Sequence, residues 1–178
     1  GTNLYTFYGD SAHDHFGQSA AGSGDVNMDG YGDLIVGAPY DDDNGNNNSG
    51  SVRVLSGIDG SILYTFFGAA LEDRFGFSVA GSGDVNNDGY DDIVVGAKGN
   101  DDNGVNAGSA QVLSGLDGTN LYTFYGDSAN DRFGKSVSGA GDVNKDGYAD
   151  LIVGAWLDDN GTNPGSARVL SGIDGSIL

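Results

Sequence analysis

Apolar and polar positions along this chain fall into short runs, and nowhere do they keep up a helical period. Ser51-Val52-Arg53-Val54-Leu55 alternates, placing Val52 and Val54 on one face and Arg53 on the other. Asp92-Ile93-Val94-Val95 is a short apolar run, and Phe77-Ser78-Val79-Ala80 follows a Phe-Gly pair. Ile62-Leu63-Tyr64-Thr65-Phe66-Phe67 is rich in aromatic and β-branched residues. Turn residues separate these runs: Asp-Gly at 59–60, 117–118 and 174–175, and Asn/Asp/Gly clusters at 41–50 and 101–104. The pattern predicts an all-β fold.

The runs recur. Phe16-Gly17 returns as Phe75-Gly76 and Phe133-Gly134, and Leu34-Ile35-Val36-Gly37-Ala38 returns at 93–97 and 151–155. The segment 50–57 returns at 108–115 and 165–172. A period of about 60 residues holding four antiparallel strands predicts propeller blades, each burying its faces against its neighbours. The blades span 8–67, 68–125 and 126–178, within one repeat domain over 1–178. Residues 1–7 carry a fourth-strand sequence, whereas Gly175-Ser176-Ile177-Leu178 is only the start of one. Propellers usually need about four to eight blades to close. Two chains are therefore expected to form a six-bladed ring, a homodimer joined through blade faces and strand exchange. In that ring residues 1–7 of each chain complete the partner's third blade. The competing reading is a piece of a longer propeller.

Each unit also contains an acidic loop of the form Asp-x-Asn-x-Asp-Gly-Tyr-x-Asp. Positions one, three, five and nine are Asp25, Asn27, Asp29 and Asp33 in the first, and Asp84, Asn86, Asp88 and Asp92 in the second. In the third they are Asp142, Asn144, Asp146 and Asp150. Alternating oxygen-bearing side chains on a tightly curved backbone all aim inward, and Gly30, Gly89 and Gly147 permit the turn. The carbonyls of Tyr31, Tyr90 and Tyr148 are the expected fifth ligands. Oxygen-only ligation with three carboxylates suits Ca2+. An EF-hand would need Glu at position twelve, but Val36, Val95 and Val153 stand there in apolar strands. Asp at position nine is therefore the closing carboxylate. Three Ca2+ per chain are expected, structural because protein fills every ligand position.

The Phe-Gly pair, Gly37-Ala38-Pro39 and the acidic loop between them resemble the FG-GAP repeats of integrin α-subunit propellers, over essentially the whole chain. Lys98 and Trp156 replace the proline in the other two units. The resemblance implies calcium in the loop between the first and second strands of a blade. It also implies ligand contact on the opposite face, where Asp41–Asn48, Asn100–Asn103 and Leu157–Asn160 lie.

Charge and composition narrow the function. Thirty-three glycines against two prolines fit many tight turns. The net charge of −19 argues against nucleic acid and anionic membrane surfaces as partners. With no cysteine, disulfides and thiolate metal sites are excluded. No apolar run is long enough for membrane insertion. The chain shows no signal peptide, and a need for millimolar calcium points to an extracellular or cell-surface setting. His13 and His15 align with Glu72 and Arg74, and with Asn130 and Arg132, as expected of a variable loop. Asp14, Asp73 and Asp131 recur before Phe-Gly, where a hydrogen-bonding turn role is favoured over a rim carboxylate. No nucleophile elbow or repeated histidine base is present, so no catalytic residue is assigned. The readings left are a non-catalytic binding or adhesion module for protein or carbohydrate, and a self-assembling scaffold. Tyr40 and Trp156 serve either ligand stacking or packing.

Overall fold

The structure, a computed structural model, describes residues 4–43, 45–158 and 164–178. Among them are eleven strands and no helix. Strands β1 (Ser19–Gly24), β2 (Asp33–Ala38), β3 (Ser51–Leu55) and β4 (Ile62–Phe67) form an antiparallel sheet in chain order. β5 (Phe75–Gly83), β6 (Asp92–Ala97), β7 (Ser109–Leu113) and β8 (Asn120–Tyr125) repeat it. The third sheet has only β9 (Phe133–Gly141), β10 (Asp150–Ala155) and β11 (Ser166–Leu170). A single bridge from Ile177 to Leu170 marks where its fourth strand would begin. Register is common to the three, with Leu34 opposite Leu55, Ile93 opposite Leu113 and Leu151 opposite Leu170. The first strand of a unit is longer than its pattern predicts in the second and third blades, because pairing starts at the Phe of Phe-Gly.

The core lies between blades, not within them. Val26, Ile35, Val52 and Val54 of the first blade pack on Phe75, Ile93, Val95 and Leu113 of the second. Val85, Val94 and Val112 of the second meet Phe133, Leu151 and Val153 of the third in the same way. Strand alternation has put one apolar row on each face, and each row needs a neighbouring blade to cover it. Burying one such Phe stabilises by about 1.5–3 kcal/mol.

The joint itself explains the Phe-Gly and Gly-Ala pairs. A Cβ on Gly37 would overlap the Gly76 carbonyl oxygen, and one on Gly96 would overlap that of Gly134. Backbone therefore crosses backbone without side chains between. Ser19 Oγ donates to the Gly76 carbonyl at 2.8 Å, and Ser78 Oγ to that of Gly134 at 2.8 Å.

The third blade shows what happens without a successor. Ile152 is 38% exposed where Ile35 and Val94 are fully buried, and Val143 is 54% exposed where Val26 is at 1%. Within the single chain, residues 4–7 pair with no strand among the described residues. Residues 1–3 of that segment lie outside the described residues. Tyr5 and Phe7 nonetheless lie over Gly60 as Tyr64 and Phe66 lie over Gly118, and Tyr122 and Phe124 over Gly175. Tyr5 OH donates to the Ile58 carbonyl at 2.7 Å, as Tyr64 OH does to Gly115 and Tyr122 OH to Gly172, each at 2.9 Å. The segment thus holds the outer-strand place of a blade preceding the first.

Gly96→Ala should lower stability by about 1–3 kcal/mol or more through overpacking. Gly154→Ala, whose Cβ would meet only Ser136 of its own sheet, should stay within about 1 kcal/mol. Urea melts of the two variants in dilute solution check this. Equal losses would contradict the backbone-crossing joint.

Candidate metal centres

Each acidic loop leaves its blade's first strand, turns through nine residues and enters the second. Two left-handed residues make the turn: position four, at φ 57° for Met28, 59° for Asn87 and 62° for Lys145, and the glycine at position six. The glycine was legible in the sequence. Position four was not, because three unrelated side chains occupy it.

The side chains of positions one, three and five fold back over this turn. In the first loop the Asp29 N–H donates to both Asp25 Oδ1 and Asn27 Oδ1, each at 3.0 Å. Gly30 N–H donates to Asp25 Oδ2 at 2.8 Å, and Tyr31 N–H to Asp29 Oδ1 at 2.9 Å. The same set recurs around Asp84, Asn86 and Asp88, and around Asp142, Asn144 and Asp146. Oxygens from three side chains are therefore gathered at one place in every blade.

Asp33, Asp92 and Asp150 stand apart from that group. Each is fully or almost fully buried. Asp33 Oδ2 accepts from Val26 N–H at 3.0 Å and Oδ1 from Gly57 N–H at 2.9 Å. Asp92 holds Val85 and Gly115 in the same way, and Asp150 holds Val143 and Gly172. The position-nine carboxylate thus clamps the acidic loop to the turn between the third and fourth strands. Each oxygen keeps a second lone pair for a cation. Burial pushes the Asp92 carboxyl up to about 6, the two N–H donors oppose this, and the charges of Asp88 and Asp84 add to it. Asp33 is raised with burial as the first cause as well.

The loops also touch one another. Asp91 Oδ2 accepts from Asp25 N–H at 2.9 Å, so the second loop buttresses the first. Among the described residues every Lys or Arg ion pair lies elsewhere, on Asp10, Glu72, Asp127 and Asp158. Gathered carboxylates with no counter-charge fit a hard cation. Two such groups about 4 Å apart repel by roughly 4 kcal/mol at an effective dielectric near 20.

The other candidates resolve differently. His13 and His15 sit in left-handed conformation, as do Glu72, Arg74, Asn130 and Arg132. Asp73 and Asp131 accept the N–H of Ala70 and Ser128 at 2.9 and 2.8 Å, the expected turn role. Tyr40 is packed between the His15 ring, 4.7 Å away, and the Arg74 guanidinium. Trp156, its counterpart, is exposed with Lys135 over its ring. Asn44, Asp159 and Asn160 of the long connections lie outside the described residues. No helix among the described residues is long and apolar enough to cross a membrane.

The family model for the FG-GAP repeat matches residues 16–55, 75–113 and 133–170. The chain is 33% identical over 174 residues to integrin alpha-V of Gallus gallus, covering 87% of this chain and 16% of that protein. It is 35% identical over 149 residues to integrin alpha-5 of Xenopus laevis, covering 79% and 14%. With integrin alpha-6 of Homo sapiens it shares 30% over 167 residues, covering 86% and 14%. The chain thus spans only 14–16% of the length of these relatives.

The raised Asp92 carboxyl binds its proton more tightly folded than unfolded, so its contribution falls as pH rises from 3.8 to about 6. In chelator the melting temperature should therefore be higher at pH 5 than at pH 7, and saturating calcium should flatten the difference. A chelated melting temperature that drops between pH 7 and pH 5 would contradict this.

Proposed function

The chain belongs to the FG-GAP repeat family, and on that premise we propose that it is a non-catalytic, calcium-stabilised β-propeller module that assembles with a second copy of itself. The observation that carries the calcium reading is the triplicated gathering of oxygens at Asp25, Asn27 and Asp29 and their counterparts, with no Lys or Arg ion-paired to them among the described residues. Tyr31, Tyr90 and Tyr148 would add carbonyls, and Asp33, Asp92 and Asp150 would add charge from below through their clamped carboxylates. Bound calcium offsets the repulsion within each loop and fixes the loop to the neighbouring turn. At free calcium about 100 times Kd, each ion adds about 2.7 kcal/mol. Three such sites would rival a domain's whole stability of about 5–15 kcal/mol. A calcium requirement of this kind suits an extracellular setting.

The bare end of the third blade supports the partner. An open concavity of about 330 Å³ is lined by Lys135, Ser136, Gly154, Trp156 and Ala167. In the first two blades the corresponding place, at Gly37 and Gly96, holds the Phe-Gly backbone of the next blade. Phe16-Gly17 of a second copy has the matching form, and Tyr5 and Phe7 already lie in outer-strand position ahead of it. Two chains joined at both ends give six blades. In a longer polypeptide the next repeat would fill the same seat, a reading favoured by the much greater length of the relatives.

Excess chelator should lower the melting temperature by many degrees, and an unchanged value would overturn the calcium reading. Light scattering in calcium should give twice the chain mass of 18.1 kDa, and Gly154→Ala should return it to one. A single-chain mass for the unaltered protein overturns the second-copy partner and leaves the calcium reading standing.

A further inference from the structure

A second group of carboxylates lies at the end of the first blade opposite its acidic loop. Asp10 comes from the segment leading into the blade, and Asp41 and Asp43 come from the connection between β2 and β3. Each brings an oxygen within 4.8 Å of the other two. Among the described residues this is the one set of three Asp, Glu, His or Cys side chains whose ligand atoms come so close together. Beside it Asp14 is 3% exposed, and its Oδ2 has no hydrogen-bond partner. Burial is the first cause raising the Asp14 pKa, and the charges of Asp41, Asp43 and Asp10 follow in that order.

The second blade shows how the same place is satisfied without an ion. Asn100 stands there in the position of Asp41. Its amide donates to Asp73, the counterpart of Asp14, at 3.5 Å and to Asp102, the counterpart of Asp43, at 3.2 Å. Ala69 takes the place of Asp10. One amide thus separates two carboxylates. In the first blade a third carboxylate replaces that donor and a fourth is added. Asp41 accepts the Asp43 N–H at 2.8 Å and the Ser51 hydroxyl, and Ser11 Oγ donates to Asp43 at 3.3 Å. Arg53 pairs with Asp10 and brings one positive charge against the four carboxylates. In the third blade, by contrast, Arg168 lies between Asp127 and Asp158, and Asn160 aligns with Asp43.

We propose that Asp10, Asp41 and Asp43 bind one calcium ion, with the Asp14 carboxylate supplying the charge behind it. The set offers oxygen ligands only, from three carboxylates on two connections, which suits calcium with its flexible, high coordination better than magnesium with its demand for near-ideal octahedral geometry. The ion stands where the Asn100 amide stands in the second blade. It fastens residues 10–14 to the connection between β2 and β3. The site is separate from the acidic loops and does not depend on their reading.

Calcium binding by the full chain, titrated against a chromophoric chelator, tests it. Asp41→Asn puts the amide of the second blade between Asp14 and Asp43 and should bind one calcium fewer than the unaltered chain. An unchanged count overturns the site. Should Asp41→Asn fail to fold by circular dichroism, the double variant Ala69→Asp, Asn100→Asp decides in its place. It builds the cluster in the second blade, where a gain of one ion supports the proposal and no gain overturns it. Asp25→Asn with Asp29→Asn removes a loop ion without touching this one, so failure of either site is read separately.

Discussion

No blade of this chain can bury its own hydrophobic rows. Val52 and Val54 in β3 point out of one face of their sheet, and the residues that cover them belong to the next repeat. A single four-stranded sheet of this kind would leave both apolar faces wet, so the repeats must stack to be stable. The stack requires close approach at its inner edge, which is why glycine meets glycine carbonyl where Gly37 crosses Gly76 and Gly96 crosses Gly134. The serine hydroxyls of Ser19 and Ser78 then satisfy the carbonyls that the crossing would otherwise strand. Stacking also explains the exposure of Ile152 and Val143, whose counterparts in the first two blades are interior residues.

A second constraint is charge. With 26 acidic against 7 basic side chains, most carboxylates must find something other than Lys or Arg. The structure uses backbone N–H groups first. Asp33, Asp92 and Asp150 each bind two, and in doing so turn a buried charge into the clamp that joins loop to turn. Asp59, Asp117 and Asp174 hold the exposed hairpin turns by accepting from the residue two positions on. What remains uncompensated is concentrated at the two ends of the sheets, in the acidic loops and beside Asp14. A divalent cation, as proposed, would complete the balance that the backbone cannot.

Strand positions and the threefold recurrence of the unit were legible in the sequence because alternation and turn chemistry are local. The third strand, Ser51–Leu55, and the fourth, Ile62–Phe67, match residue for residue. The loop oxygens at positions one, three and five were legible for the same reason. The clamp made by Asp33 was not, because its partner Gly57 is 24 residues away and donates through backbone that any residue carries. Nor was the Asp10 cluster, since it joins residues from two connections that only the fold brings together. One signal was available: Asp41 stands where the second unit has Asn100, and exchanging that amide for a carboxylate removes the donor that bridges two acids.

These two levels meet at the start of the first blade. Tyr5 and Phe7 occupy the outer-strand place of a preceding blade, and the same segment continues directly into Asp10 and Asp14. A cation held there by Asp41 and Asp43 would grip the stretch of chain that passes from one blade to the next. In the second blade Asn100 does this with a neutral hydrogen bond, so the link from first to second blade is built into the chain. The link into the first blade carries charge instead. Its strength would therefore follow calcium, and the joint most dependent on an outside ion would be the one offered to a further blade.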